Sequence, residues 1–233
     1  SHGQMSIVGE FDADRIKAIV QAGLGQWESP KPYERIERPF HPLQAARKII
    51  PTPDKANAVY VALQRIEMSE EDPDYPALAL AVRMLGSSAG SRIAKKLREE
   101  EGLSYGAYAQ LSADRKTRSG AISIRAIHAP SNLAKLESAL AEVLGKVAAD
   151  GFTDAELADT RGAWLEQRRR YLTDESNVSN LLVSNLYWNR DMNWWREFEE
   201  KLKQVDLAAA NAAIRKYLSA NKLFVVDAGD YKD

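Results

Sequence analysis

Two runs, residues 108–113 and 121–127, alternate or stay apolar around a polar turn at residues 115–120. That pattern predicts a β-hairpin. A hairpin constrains the rest of the chain, because its strands are antiparallel and their sheet must bury at least one face. A third segment, residues 57–66 (NAVYVALQRI), is β-branched and apolar enough to run through the centre of that sheet.

The other segments are fitted around these three. Residues 6–11 (SIVGEF) read as a strand, followed by Asp12 as an N-cap whose carboxylate accepts the first free amides of a helix. That helix carries Ile16, Ile19, Val20 and Leu24 on one face and ends at Gly23 and Gly25. A proline-containing connector covers residues 29–42, and residues 44–50 form another expected strand. After an acidic loop at 70–76, residues 77–85 read as an apolar helix buried on most sides.

A long helix opens at Pro130-Ser131 and ends at Gly151, with Leu133, Leu136, Leu140, Val143, Leu144 and Val147 at helical spacing. Thr153 and Glu156 form a capping box for the next helix, which runs to about Tyr171. Further helices are expected at 176–188, 194–203 and 207–218, and a last strand at 223–226. The order β-α-β-β-α-α-β-β-α-α-α-α-α-β predicts an α+β two-layer sandwich, with a mostly antiparallel sheet covered by helices on one face.

Composition excludes several functions. With 32 basic and 33 acidic residues, the net charge of −1 gives no electrostatic case for nucleic acid. No cysteine is present, which excludes disulfides, thiolate metal sites and a cysteine nucleophile. No apolar run reaches membrane-spanning length. Ser1-His2-Gly3 reads as a tag scar, so residues 1–4 are set aside and residues 5–233 are read as one domain. With a strand expected almost at once and no leader ahead of it, the chain reads as a piece of a longer protein, and a signal peptide would lie in the missing part.

Few side chains suggest chemistry. The histidines are His2, His41 and His128; none has a second histidine at ligand spacing, and neither HxxEH nor HExxH occurs. No metal site is therefore expected in this chain, and His128 reads as a strand-end residue. The serines of residues 86–91 lack the phosphate-loop pattern, and Ser88 or Ser91 reads as a helix cap. Glu99, Glu100 and Glu101 read as a solvated surface, as does the run Arg168-Arg169-Arg170. Tyr187, Trp188, Trp194 and Trp195 are read as core packing, with a face for another domain as the alternative.

Within residues 86–108 (GSSAGSRIAKKLREEEGLSYGAY), Arg98 lies near a helix end and Tyr105 just past a glycine turn. Gly102 lets the chain reverse, and Gly106 keeps the backbone beside Tyr105 open. The reversal could bring both side chains to one surface, where a guanidinium fork and a phenol can bind carbonyls and an oxyanion. A helix-end arginine also commonly caps carbonyls or makes ion pairs. Spacing alone leaves both readings open.

The stretch Ser91-Arg92-Ile93 through Leu97-Arg98 to Gly102-Leu103-Ser104-Tyr105-Gly106 resembles the second half of the pitrilysin/insulinase (M16) zinc peptidases. Residues 6–12 with the helix ending before Gly25-Gln26-Trp27, and residues 53–57, 74–78 and 151–153, resemble further segments of the family. The likeness covers nearly the whole chain and is nearest the long bacterial members. Its most specific part is the arginine followed seven residues later by the tyrosine.

The resemblance implies a C-terminal, substrate-closing domain of a zinc endopeptidase, inactive by itself. Its zinc site would lie in an N-terminal half or partner subunit, which with a peptide substrate makes up the implied partners. There a zinc-activated water would attack the peptide carbonyl, with a glutamate as base. Tyr105 would be catalytic, donating to the oxyanion, and Arg98 with Tyr105 would bind substrate. A periplasmic location is implied by the exported bacterial members. The alternative is a non-catalytic binding or assembly subunit with the same fold.

Overall fold

The structure, a computed structural model, describes residues 3–88 and 90–231. Ser1 and His2 of the expected tag scar, and Ala89 of the serine-rich loop, lie outside the described residues. Contacts gather the chain into two compact units, Ser1–Glu37 with Trp164–Glu197 and Arg38–Ala163 with Phe198–Asp233.

The larger unit is built on a five-stranded sheet. Its strands are β1 (Ala46–Pro51), β2 (Ala58–Ile66), β3 (Ser104–Ala113), β4 (Gly120–His128) and β5 (Phe224–Gly229), in the order β1-β5-β2-β4-β3. Every pairing is antiparallel except β1 with β5, so the sheet is mostly antiparallel, as the sequence predicts. The expected hairpin is β3–β4. Strand β2 alternates as its sequence does: Ala58, Tyr60, Ala62, Gln64 and Ile66 are buried on one face. Buried Gln64 is satisfied, donating to Tyr217 O (2.8 Å) and accepting from Ser219 N (2.9 Å).

Helix α2 (Tyr75–Gly86) packs against β3 and α8, and ten of its residues, Pro76–Val82 and Met84–Gly86, are buried. Few polar groups interrupt it, so it fills the core instead of rimming it. Gly86 sits against β3 so closely that a Cβ there would lie 2.3 Å from Ala109 N. Helix α3 (Arg92–Ala94) continues into a π-helical turn, Lys95–Glu100. Helix α4 (Leu133–Ala149) buries Leu136, Leu140, Val143, Leu144 and Val147, each worth about 1.5–3 kcal/mol when fully removed from water. The capping box forms: Thr153 N donates to Glu156 Oε2 (2.8 Å), and Glu156 N to Thr153 Oγ1 (3.3 Å). It starts α5 (Asp154–Tyr171), which is followed by α6 (Glu175–Trp188), α7 (Met192–Gln204) and α8 (Leu207–Tyr217).

The smaller unit contains α1 (Ala13–Leu24) and α6. Asp12 caps α1, accepting from the amides of Asp14 and Arg15 at 3.0 Å each. Residues 6–11, expected as a strand, form none. The unit holds no strand among its described residues, and an extended segment without a neighbour has no ladder to join.

Candidate functional site

The elements around Arg98 and Tyr105 each carry one local irregularity. Arg92 anchors the helix entry with a bidentate ion pair to Glu156 (2.7 and 2.9 Å), its guanidinium 4.9 Å from the Phe152 ring centroid. Ser91 occupies the N-cap position, but its hydroxyl donates to Ser88 O (2.6 Å), so neither serine caps the helix with its side chain. Ile93 and Leu97 are fully buried and hold the helix to the core.

The π turn spaces backbone bonds five residues apart. Glu99, Glu100 and Glu101 are exposed, as a solvated surface requires, and two of them also pair with Lys96. Glu101, five residues on, reaches Lys96 Nζ at 3.1 Å, and Glu100, four on, at 3.6 Å. Lys96 also reaches Glu142 of α4 at 2.8 Å, with its own side chain 16% exposed. Glu142 first and Glu101 second push the Lys96 ammonium pKa above its ordinary value. Lys146 and Lys96 together lower the Glu142 carboxyl to about 2.

The turn's end leaves Arg98 free of a capping task. Glu101 N donates to Lys96 O (3.1 Å) and Leu103 N to Leu97 O (2.8 Å), so backbone amides cover these two carbonyls. Among the described residues, Arg98 makes no ion pair or hydrogen bond.

The chain then reverses through Gly102, whose φ of +59° is the left-handed conformation that glycine adopts without strain. Ser104 pairs with His128 and Gly106 with Ile127, so Tyr105 is an extra residue on β3, a β-bulge. The bulge turns the ring outward, where it is 88% exposed. Among the described residues its hydroxyl has no partner. The Arg98 guanidinium carbon lies 5.9 Å from the Tyr105 ring centroid. A Cβ at Gly106 would meet nothing, so the space beside Tyr105 is open.

Arg98 and Tyr105 line one cleft of about 480 Å³, together with Ser87, Ala94, Ala107 and Tyr108. It can receive an acceptor-rich ligand, to which the arginine presents a planar fork of donors and the tyrosine one hydroxyl. A larger cleft, about 630 Å³, lies between the acidic loop and α8. Two of its charges satisfy each other: Lys216 donates to Asp74 (2.7 Å) and holds that carboxyl below its ordinary pKa. That leaves it less suited to a ligand.

The described residues do not fit a zinc ion. No group of three or more His, Asp or Glu could hold a metal among the described residues. His128 closes β4, where both ring nitrogens are engaged, Nδ1 with Ala129 O and Nε2 with Asp227, each at 2.8 Å. No described helix is long and apolar enough to cross a membrane.

The other sequence candidates resolve separately. Tyr187 and Trp188 stack edge-on at 4.9 Å, and Trp194 and Trp195 at 4.7 Å. Both pairs lie in the smaller unit and carry arginines over their rings, Arg35 on Trp188 and Arg190 on Trp194. They are half-buried, with Tyr187 exposed, and so are not deep core. Arg168 lies over Trp195 (4.5 Å), which removes it from the expected solvated run. Sequence reasoning missed Ser87, whose hydroxyl donates to Ala109 O (2.6 Å) and fixes the cleft's edge. A serine just past a buried helix was the available signal.

The chain matches the family model described as "Peptidase M16 inactive domain" over residues 2–163. It is 33% identical over 147 residues to an uncharacterized zinc protease of Mycobacterium bovis, covering 61% of this chain and 32% of that protein. A Mycobacterium leprae zinc protease, also uncharacterized, is 33% identical over 131 residues, covering 56% and 28%. The chain thus spans about a third of the length of these curated relatives. The solved M16 inactive domain from Pseudomonas fluorescens superposes with a TM-score of 0.76 at 23% identity, covering 95% of this chain and 51% of that one. The periplasmic protease PqqL of Escherichia coli superposes with a TM-score of 0.69 at 20% identity, covering 96% and 25%.

Proposed function

The chain belongs to the M16 peptidase family, as its inactive domain, and from that premise we propose that it closes over peptide substrates held by a zinc-bearing half. The observation that carries this reading is the shared cleft: Arg98 and Tyr105 are exposed, free of partners among the described residues, and 5.9 Å apart. Arg98 holds backbone carbonyls of an extended peptide in its donor fork. Tyr105 donates its O–H to the oxygen that gains charge when the scissile carbonyl becomes tetrahedral. Water exclusion follows from closing a second surface over the cleft. Among the described residues none form a group that fits a metal, so this chain's part is binding and proton donation.

Residues 5–233 together are taken as one such domain. The zinc belongs to an N-terminal half or partner subunit, a reading supported by the zinc proteases it resembles. A periplasmic location belongs to the same proposal and is supported by the periplasmic protease PqqL among its structural neighbours.

The test is Tyr105→Phe in the complete peptidase, this chain with its zinc-bearing half. Turnover of a quenched fluorogenic peptide should fall roughly 100-fold with KM changed less than about threefold. Unchanged kcat would remove Tyr105 from the chemistry, and absence of an HxxEH motif from both the coding sequence upstream and a neighbouring subunit would favour a non-catalytic binding or assembly subunit.

A further inference from the structure

We infer that Ala107 is a strand-pairing subsite, offering its backbone N–H and C=O to an extended peptide in the Arg98–Tyr105 cleft. The inference rests on the peptide-binding reading above and adds where the substrate backbone is gripped.

Strand β3 is the sheet's edge, so half its backbone groups face away from β4. The hairpin sets which half. Asp114 N donates to Ser119 O (2.9 Å), and bonded pairs recur every second residue, so Ser112, Gln110, Tyr108 and Gly106 bond to β4. Ala113, Leu111, Ala109 and Ala107 therefore turn their amides and carbonyls outward. Ala109 O accepting from Ser87 Oγ agrees with this parity.

That outward row is closed at Ala109, and the hairpin end beyond the row is held separately. At Ala109, Ser87 takes the carbonyl and Gly86 lies against the amide. At the hairpin end, Glu70 N donates to Asp114 O (2.9 Å), and Ser69 bridges Asp114 in parallel. Leu111 and Ala113 do not line the cleft. Within the cleft, between the bulge at Tyr105 and the closure at Ala109, Ala107 is the residue with both groups facing outward. It is half-buried and flanked by the two exposed tyrosines, Tyr105 and Tyr108.

One residue whose donor and acceptor are open among the described residues makes two bonds to one residue of a peptide strand. This fixes the register of an extended backbone while asking nothing of its side chains. The class of ligand is an unstructured peptide segment.

The test is Ala107→Pro in the complete peptidase. Proline removes the outward N–H, keeps a φ suited to an edge strand, and spares the bonds to β4. With an internally quenched, unstructured peptide of about ten residues, KM should rise roughly tenfold with kcat little changed. An unchanged KM would overturn the inference. A second measurement needs no variant: with metal chelated and the same peptide bound, the Ala107 amide of the unmodified protein should exchange with solvent at least tenfold more slowly. Unaltered exchange would overturn it as well. Arg98→Ala separates the levels. If it raises KM while Ala107→Pro does not, the peptide cleft stands and the subsite falls; if neither raises KM, both fall.

Discussion

Arg98 stands 5.9 Å from the ring of Tyr105, and neither side chain has a hydrogen-bonding partner among the described residues. Two insertions produce this meeting. The π turn carries Arg98 past the end of a regular helix, and the bulge adds Tyr105 to a strand that would otherwise have paired it away. Both irregularities cost local regularity and recur beside functional sites in other proteins. Neither side chain contributes visibly to the core, so their substitution separates function from folding.

Arg98→Lys tests the fork as distinct from the charge. Lysine keeps a cation but presents a single point donor in place of a planar pair. In the complete peptidase KM for an extended peptide should rise about five- to tenfold, with the melting temperature unchanged. Equal KM values would mean that charge alone suffices and that the fork geometry is unused.

Much of the frame was legible in the sequence, for a physical reason. Helix α4 and strands β2 and β4 bury whole faces, so their periods of 3.6 and 2 are written in the residues. The Thr153–Glu156 box was legible because it is local. The segment at 6–11 has strand composition but no neighbour to pair with, and composition cannot supply one. The π turn, the bulge and the Lys96 network depend on contacts distant in sequence. Glu142 lies 46 residues from Lys96, and nothing near either one announces the other. Arg98 and Tyr105 could therefore be picked out, while the geometry that joins them could not.

Lys96 and Glu142 tie the π turn to α4, and their pairing predicts an acid response. Glu142 has its carboxyl lowered from an ordinary 4.5 to about 2 by Lys146 first and Lys96 second. A depressed carboxyl contributes stability that is complete above its ordinary value and is lost as pH falls through the depressed one. Lys96, raised, keeps its contribution until pH rises beyond its ordinary value. Wild type should therefore melt higher than Glu142→Gln at neutral pH, and the gap should close between about pH 4.5 and 2. Thermal melts at several pH values check this; a gap that persists at pH 2 would exclude the pairing as its source.

Asp227 predicts a stability effect remote from the cleft. It is fully buried in β5, with Oδ2 2.8 Å from His128 Nε2 and Oδ1 accepting from the Tyr231 hydroxyl. His128 closes β4, and β2 runs between the two strands, so this carboxyl links β5 to β4 across β2 and holds Tyr231. Asp227→Ala would strand a buried imidazole nitrogen and a phenol without an acceptor. Removing one member of such a buried set costs about 3–5 kcal/mol. Urea unfolding should show that loss, while Asp227→Asn, which keeps a carbonyl acceptor for one donor, should lose less. A loss under about 1 kcal/mol for the alanine variant would mean that water reaches the site and replaces the carboxylate.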